Sequence, residues 1–289
     1  MRAAAIGSFD GIHLGHRSVL KTLLDVSLSG GLIPMAVTFN RHPLEIIDPS
    51  RVPAAITPLN EKVRLLKEAG ANPEVIDFDE KIRSTSAADW IKKLRDDFDV
   101  KTIVLGYDNT FGCDGLNMSI DQYKSLGKSL GVDIITAVEI PGVSSSAIRK
   151  AVANGDMAKA NQMLGRPFSI TATVDHGNSI GHTIGFPTAN LTPPPGLVLP
   201  KPGVYEAQVK VPSEAMPLPA MVNIGSRPTI ESRHVTIIEA HIPDWNGDLY
   251  NQEITVGFLD RIRDEIKFDS IEALKSQLEK DRGMIRKLN

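Results

Sequence analysis

Along the first half of the chain, short apolar runs alternate with stretches whose apolar residues recur at helical spacing. Ala3 to Ile6 is a brief apolar run that ends at Gly7, and Val19, Leu20, Leu23 and Leu24 predict a helix stopping at Gly30-Gly31. Leu32 to Phe39 reads as a buried strand. Thr57 as N-cap and Pro58 at the first helical position predict a second helix, with Val63, Leu65, Leu66 and Ala69 on its buried face. The alternation continues with a strand near Val75–Phe78, a helix over Ala87–Phe98, a strand over Thr102–Leu105, a helix over Ile120–Leu130 and a strand over Val132–Val138. Strands separated by helix-length segments predict parallel βαβ units, hence a doubly wound α/β sheet over residues 1–150.

Beyond that point the pattern changes. Two short helical stretches, Ser146–Ala153 and Met157–Leu164, place a helical linker over residues 151–164. From Phe168 to Phe258 period-two stretches broken by Gly and Pro follow one another: Ser169–Asp175, Gly203–Val211, Ala220–Ile224, Thr236–Ile242 and Glu253–Phe258. Such short strands between turn residues predict an antiparallel barrel or sandwich in a second domain, residues 165–289. A terminal helix from Ser270 to about Lys287 is expected to bury Ile271, Leu274, Leu278 and Ile285.

Composition adds little to this picture and excludes some classes. With 289 residues, 42% hydrophobic and 23% charged, two ordinary globular domains are expected. A formal net charge of −3, with Lys and Arg spread along the chain, gives no electrostatic reason for a nucleic-acid partner. No apolar stretch approaches the roughly 20 residues of a spanning helix, and the first apolar run is too short for a signal peptide. Cys113 is the only cysteine, so an internal disulfide is impossible and a reducing, cytoplasmic setting is the simplest expectation. A monomer is the default expectation for the assembly.

The first candidate site joins the first strand to the first helix. Gly7, Gly11 and Gly15 let the backbone approach a ligand, and the helix N-terminus beyond them suits a phosphate. His13 and His16 are one turn apart, so two imidazoles can donate hydrogen bonds to a polyphosphate. Zinc is disfavoured, because no Cys lies nearby and no Glu stands between the histidines. Further on, Ser144, Ser145 and Ser146 precede Arg149, an arrangement that serves equally as a plain helix cap or as an oxyanion site.

A second candidate lies in Gly177-Asn178-Ser179-Ile180-Gly181 and Gly185-Phe186-Pro187-Thr188-Ala189-Asn190-Leu191. A glycine loop can wrap phosphates with backbone N–H groups, and alternation sets Thr188 and Asn190 on one side of an extended chain. Their oxygens suit Mg²⁺ shared with ATP phosphate, although the same residues also describe a loop ending at an edge strand.

Two specific strings carry a resemblance. Gly7 to His16 resembles the Gly-x-Phe-Asp-Gly-x-His-x-Gly-His signature of prokaryotic bifunctional riboflavin kinase/FMN adenylyltransferases, within the nucleotidylyltransferase superfamily. Gly185 to Leu191 resembles the Gly-x-Pro-Thr-Ala-Asn-Leu signature of riboflavin kinases. Thr38-Phe39 with His42-Pro43, Thr57-Pro58 with Glu61-Lys62, and Val143 to Arg149 are similar to family blocks in order, as are Gly203-Val204-Tyr205, Asn223-Ile224-Gly225, Glu239-Ala240-His241 and Arg263 to Phe268.

The resemblance implies a Rossmann-like adenylyltransferase domain and a kinase barrel, with ATP, riboflavin and FMN as substrates and Mg²⁺ as cofactor. It implies that His13 and His16 act in adenylylation, and that Gly7, Phe9, Asp10, Gly15, Ser144, Ser145, Ser146 and Arg149 bind nucleotide there. For the kinase it implies Glu239 as general base, Gly177, Gly181, Gly185 and Pro187 at the nucleotide, and Thr188 and Asn190 at the metal. Asp108, Phe111, Arg263 and Glu265 are implied at the flavin. Four positions depart: Arg41 stands where proline is usual, His182 where arginine is frequent, and Thr110 and Gly115 where the adenylyltransferase loop carries two arginines. The loss of two cations predicts that adenylylation is the weaker activity. The alternatives are a kinase with a weakened first domain and a non-catalytic flavin or nucleotide sensor.

Overall fold

The protein is described by a computed structural model covering residues 1–107, 109–175, 181, 184–228 and 234–285. The chain divides into two compact units, Met1–Ser145 and Ser146–Asn289.

In the first unit the strands are β1 (Arg2–Ile6), β2 (Ile33–Phe39), β3 (Asn72–Ile76), β4 (Val100–Leu105) and β5 (Asp133–Thr136). They form one parallel sheet in the order β3-β2-β1-β4-β5, the doubly wound arrangement expected. The helices are α1 (Leu14–Gly30), α2 (Leu44–Ile47), α3 (Leu59–Glu68), α4 (Glu80–Ser84), α5 (Ala87–Phe98) and α6 (Ile120–Ser129). Alternation along β1 sends Ala3 and Ala5 to one face, where they pack with Leu20, Leu23 and Leu66 of α1 and α3. Ala4 and Ile6 meet the opposite core, built on Trp90, Ile91, Leu94 and Tyr123 of α5 and α6. Both faces are therefore covered, as a parallel sheet requires.

One helix start differs from expectation. Helix α3 begins at Leu59 with Pro58 at the N-cap and no side-chain cap. Thr57 stands one residue before the cap, its N–H bonded to the Asp10 carboxylate at 3.1 Å.

The second unit opens with α7 (Ser145–Asn154, its first residue lying in the first unit) and α8 (Met157–Leu164), and α8 packs on β6 (Phe168–Asp175) and on β11 (Glu253–Arg263). Between these come β7 (Ala189–Leu191), β8 (Gly203–Lys210), β9 (Leu218–Pro228) and β10 (His234–His241). They close an antiparallel barrel in the order β10-β7-β6-β11-β8-β9, which leaves no free sheet edge. Inward positions such as Leu191, Ile224 and Ile238 are buried to within 1%.

The terminal helix α9 (Ile271–Arg282) corrects the sequence reading of its buried face. Ile271 is 58% exposed, while the fully buried residue of the helix is Asp281. Leu274, Leu278 and Ile285 do pack, against Ile184, Phe186, Val204 and Met221.

Candidate functional site

In the first unit the chain leaves β1 at Ile6 and turns sharply, with positive φ at Phe9 (49°), Gly11 (88°) and Ile12 (40°). Several bonds hold that turn. The buried Asp10 carboxylate accepts from the N–H groups of Ile56 and Thr57 at 3.0 and 3.1 Å. The Lys62 ammonium donates to the carbonyls of Ser8 and Phe39 at 3.1 and 3.0 Å, and the Thr38 hydroxyl donates to Ser8 at 3.1 Å. Asp10, implied as a nucleotide contact, thus spends its carboxylate on the adjoining loop.

The turn delivers His13 to the N-cap of α1, where its Nδ1 accepts from the His16 N–H at 3.3 Å. In the neutral ring the His13 proton therefore sits on Nε2. The two imidazoles stack with centroids 3.7 Å apart and 16° between planes, and Phe9 meets His16 edge-on at 5.3 Å. Burial, then the neighbouring His13 and Lys62, hold the His16 pKa well below the ordinary 6.5, so this ring is neutral at pH 7. Its Nδ1 is buried without a partner among the described residues. No acidic residue occupies the first turn of α1, so nothing there opposes an anion.

Gly7, Phe9, His13, Gly15, His16, Ser144 and Ser145 line one cavity of about 270 Å³. A Cβ at Gly15 would sit 3.1 Å from the His13 ring, a tight contact that only a small shift of the ring would relieve. Ser145 donates to the Asp10 carbonyl at 3.0 Å. Ser146 and Arg149 follow on α7, within the second unit. Asn109 also lines the cavity, its amide donating to the Ile6 carbonyl; only its position just past β4, at the carboxyl edge of the sheet, could have marked it. Phe111 is not on the wall. Its ring is buried in the core, 4.9 Å from Tyr123, whose hydroxyl bonds both the N–H and the carbonyl of Phe111. Asp108 lies outside the described residues. Thr110 is exposed and Gly115 is buried. Arg41, the other departure here, pairs with Asp77 at 3.2 Å.

In the barrel unit, register builds the site. Asp175 on β6 opposes Asn190 on β7, Asn190 opposes Glu239 on β10, and Glu239 opposes Asn223 on β9. Asn223 then opposes Val204 on β8, and Val204 opposes Arg263 on β11. Register partners share a face, so one row of six residues runs around the barrel. Ile238, flanked by Leu191 and Ile224, carries the opposite, inward face. Arg263 joins the row because β11 bulges at Ile262: Arg261 pairs with Tyr205, whereas Arg263 pairs with Val204.

Thr188, Asn223, Glu239, His241, Arg263 and Glu265 converge on a cavity of about 220 Å³, whose apolar wall includes Val204, Met221, Phe268, Leu274 and Leu278. His241 donates from Nδ1 to the Pro187 carbonyl at 2.8 Å and so anchors the segment that carries Thr188. Burial lowers its pKa while the bond to Pro187 opposes the shift, leaving the ring neutral. A second cavity, of about 270 Å³, also takes Thr188 and Pro187 into its wall, together with Val174, Trp245, Leu249 and Tyr250. Gly181 must lack a side chain, because a Cβ there would overlap the Phe186 carbonyl oxygen. Gly185 follows with a φ of 83°. Asn190 is buried, with its Nδ2 3.4 Å from the Thr188 carbonyl. Gly177 and His182 lie outside the described residues. Among the described residues no three His, Cys, Asp or Glu side chains are grouped as metal ligands. The neutral oxygens of Thr188 and Asn190 fit a Mg²⁺ that takes its remaining ligands from water and phosphate.

The fold thus joins a doubly wound parallel-sheet unit and a closed-barrel unit, each with its own cavity. The comparisons with known proteins are specific. Residues 1–148 match the FAD synthetase family and residues 164–289 the riboflavin kinase family. Over 96% of its length the chain is 37% identical to the bifunctional riboflavin kinase/FMN adenylyltransferase of Escherichia coli K12, covering 89% of that protein. It is 34% identical to the Bacillus subtilis protein of the same description, again over 96% of this chain and 89% of the relative. A crystal structure from Streptococcus pneumoniae described as a macrolide-efflux protein is 32% identical, with a TM-score of 0.89 over 100% of this chain and 94% of that one. No helix among the described residues is long and apolar enough to cross a membrane. The chain belongs to the bifunctional riboflavin kinase/FMN adenylyltransferase family, whose two activities yield FMN and then FAD.

Proposed function

We propose that the barrel unit phosphorylates riboflavin with Glu239 as general base, and that the parallel-sheet unit adenylylates FMN at the His13–His16 pair. The observation that carries the first half is the position of Glu239 between Asn190 and Asn223, on the wall of a cavity it shares with Thr188, Arg263 and Glu265. Riboflavin occupies that cavity, its rings against Phe268, Leu274 and Leu278. The adenosine part of ATP occupies the cavity backed by Trp245 and Tyr250. Thr188 is common to both walls, so the transferred phosphoryl group passes there.

Glu239 takes the proton from the 5′-hydroxyl as its oxygen attacks the γ-phosphorus, and ADP leaves. Gly181, Gly185 and Pro187 shape the backbone around the phosphates, as Gly177 does by resemblance. Mg²⁺ would be held by Thr188 and Asn190, and it supplies neutralisation of phosphate charge. In the other unit the FMN phosphate attacks the α-phosphorus of ATP and pyrophosphate leaves. His13 and the neutral His16 donate hydrogen bonds to the phosphates, beside the N-terminus of α1 and the hydroxyls of Ser144 and Ser145. Ser146 and Arg149 are assigned to nucleotide by resemblance alone, and Asp108 to the flavin on the same ground. Phe111 and Asp10 support the surrounding loops. A lone exposed cysteine supports a reducing, cytoplasmic setting.

The test is a time course with riboflavin and MgATP on the wild type and Glu239→Gln. FMN formation is expected to fall by about 10² to 10⁴-fold in the variant, with FMN-to-FAD conversion nearly unchanged. A kinase rate within about tenfold of wild type removes Glu239 from the role of base.

A further inference from the structure

The wall of the flavin cavity holds one charged group whose position depends on a residue outside the cavity. Arg263 is fixed on three sides. Its Nε and Nη2 donate to Asp281 Oδ2 at 2.9 and 2.7 Å, with Nε also 3.2 Å from Oδ1. Its Nη1 donates to the Asp264 carbonyl at 2.9 Å, and the guanidinium lies 5.9 Å from the Phe268 ring centroid. Gln277 completes the carboxylate, donating to Oδ1 at 2.8 Å.

Asp281 is an unusual residue to find at this place. It is 0% exposed in the last turn of α9, where the helix dipole disfavours a carboxylate. A buried charge is tolerated only when it is paired and hydrogen-bonded, and Arg263 and Gln277 supply that compensation. The rest of the buried face of α9 is thin, with Leu274 and Leu278 only partly buried. The same two leucines line the flavin cavity.

Of the five N–H groups of a guanidinium, the bonds to Asp281 and Asp264 leave one on each terminal nitrogen. We propose that Asp281 is a positioning residue for flavin binding: it locks Arg263 so that these N–H groups face an oxygen acceptor of the bound flavin, and it holds the α9 wall against the same ligand. This rests on the assignment of riboflavin to this cavity. Arg261, two residues away, cannot substitute, because the bulge turns it toward Pro202 and Asp264 instead.

The pair acts on binding rather than on proton transfer, so its removal is read in KM. Asp281→Asn keeps the shape and removes the charge. The riboflavin KM is expected to rise about tenfold, as for loss of one charge-assisted hydrogen bond, with kcat within about twofold. FMN-to-FAD conversion should not change. An unchanged riboflavin KM overturns the proposal, and so does a fall in kcat or in adenylylation as large as the change in KM.

A second arm separates positioning from docking of the helix. Asp281→Met strands Arg263 and should lower the thermal midpoint, while the double variant Arg263→Met/Asp281→Met replaces a buried ion pair by apolar groups, which is often neutral or stabilising. The double variant is expected to regain stability and to keep the raised KM. If KM returns together with stability, the pair only docks α9 and the proposal is rejected. Glu239→Gln measured alongside reports on the cavity itself. Wild-type FMN formation in that variant removes the site assignment, whereas an inactive Glu239→Gln with an unaltered Asp281→Asn rejects the positioning role alone.

Discussion

Asn190 and Glu239 face each other across the β7–β10 ladder, although 49 positions separate them in the chain. The pairing sets the Asn190 amide directly beside the proposed base, on the outward face of the barrel. It also ties the Pro-Thr-Ala-Asn segment to β10 twice, since His241 bonds the Pro187 carbonyl two residues further along the same strand face. The phosphate-side loop and the base are thus held as one piece, which suits a reaction governed by positioning.

The histidine pair should act on one reaction only. Replacing His13 or His16 with Ala is expected to slow FMN-to-FAD conversion by roughly 10² to 10³-fold, the usual cost of a lost transition-state donor. Riboflavin phosphorylation should stay within about a factor of two. Both rates can be followed by separating the three flavins during a time course. Unchanged FAD synthesis in both variants would return these residues to ordinary helix-start histidines.

Acid should destabilise the first unit through His16. Its folded pKa is depressed, chiefly by burial, so the unfolded chain binds more protons as pH drops below the ordinary value of 6.5. The contribution is complete above that value and is lost as pH falls toward the folded pKa. His16→Gln removes the group, so its stability should change less than that of the wild type between about pH 7.5 and about pH 5.5. Denaturant unfolding at the two pH values measures the difference; equal slopes for the two proteins would count against the buried, neutral ring.

The two departures in the adenylyltransferase loop are not equivalent. Thr110 is exposed, so Thr110→Arg restores a family cation without steric cost and is expected to raise the FMN-to-FAD rate or lower the FMN requirement. Gly115 is buried, and a Cβ there would overlap the Tyr123 hydroxyl that bonds Phe111 on both sides. Gly115→Arg should therefore cost stability by roughly 1–3 kcal/mol, as expected for overpacking, rather than help catalysis. Thermal midpoints and FMN kinetics of the two variants test this contrast. An inert Thr110→Arg would show that the loop does not contact flavin or ATP here.

Much of the architecture follows from local sequence signals. The parallel unit is legible because each strand and helix carries its own apolar period, and helix α1 ends where Gly31 supplies a left-handed cap. The glycine turn with its histidines and the Pro-Thr-Ala-Asn string are likewise local, because backbone approach and phosphate wrapping demand particular residues in a row. On these grounds the chain alone determined the succession of its main strands and helices and the change from a parallel α/β part to a part built of short antiparallel strands.

Tertiary structure decided the rest, and the reason is that register and burial are set by partners distant in sequence. Simple alternation would send Arg261 and Arg263 to the same side of β11; the extra residue Ile262 separates them and turns only Arg263 to the Val204 row. Asp281 reads as a solvated charge on an amphipathic helix, yet packing buries it completely against Arg263. Phe111 and Asp10 stand in ligand-like strings, but one fills the core beneath Tyr123 and the other bonds Ile56 and Thr57. No local pattern encodes a cross-strand neighbour, because the energy that selects it comes from closing the barrel and filling its two faces.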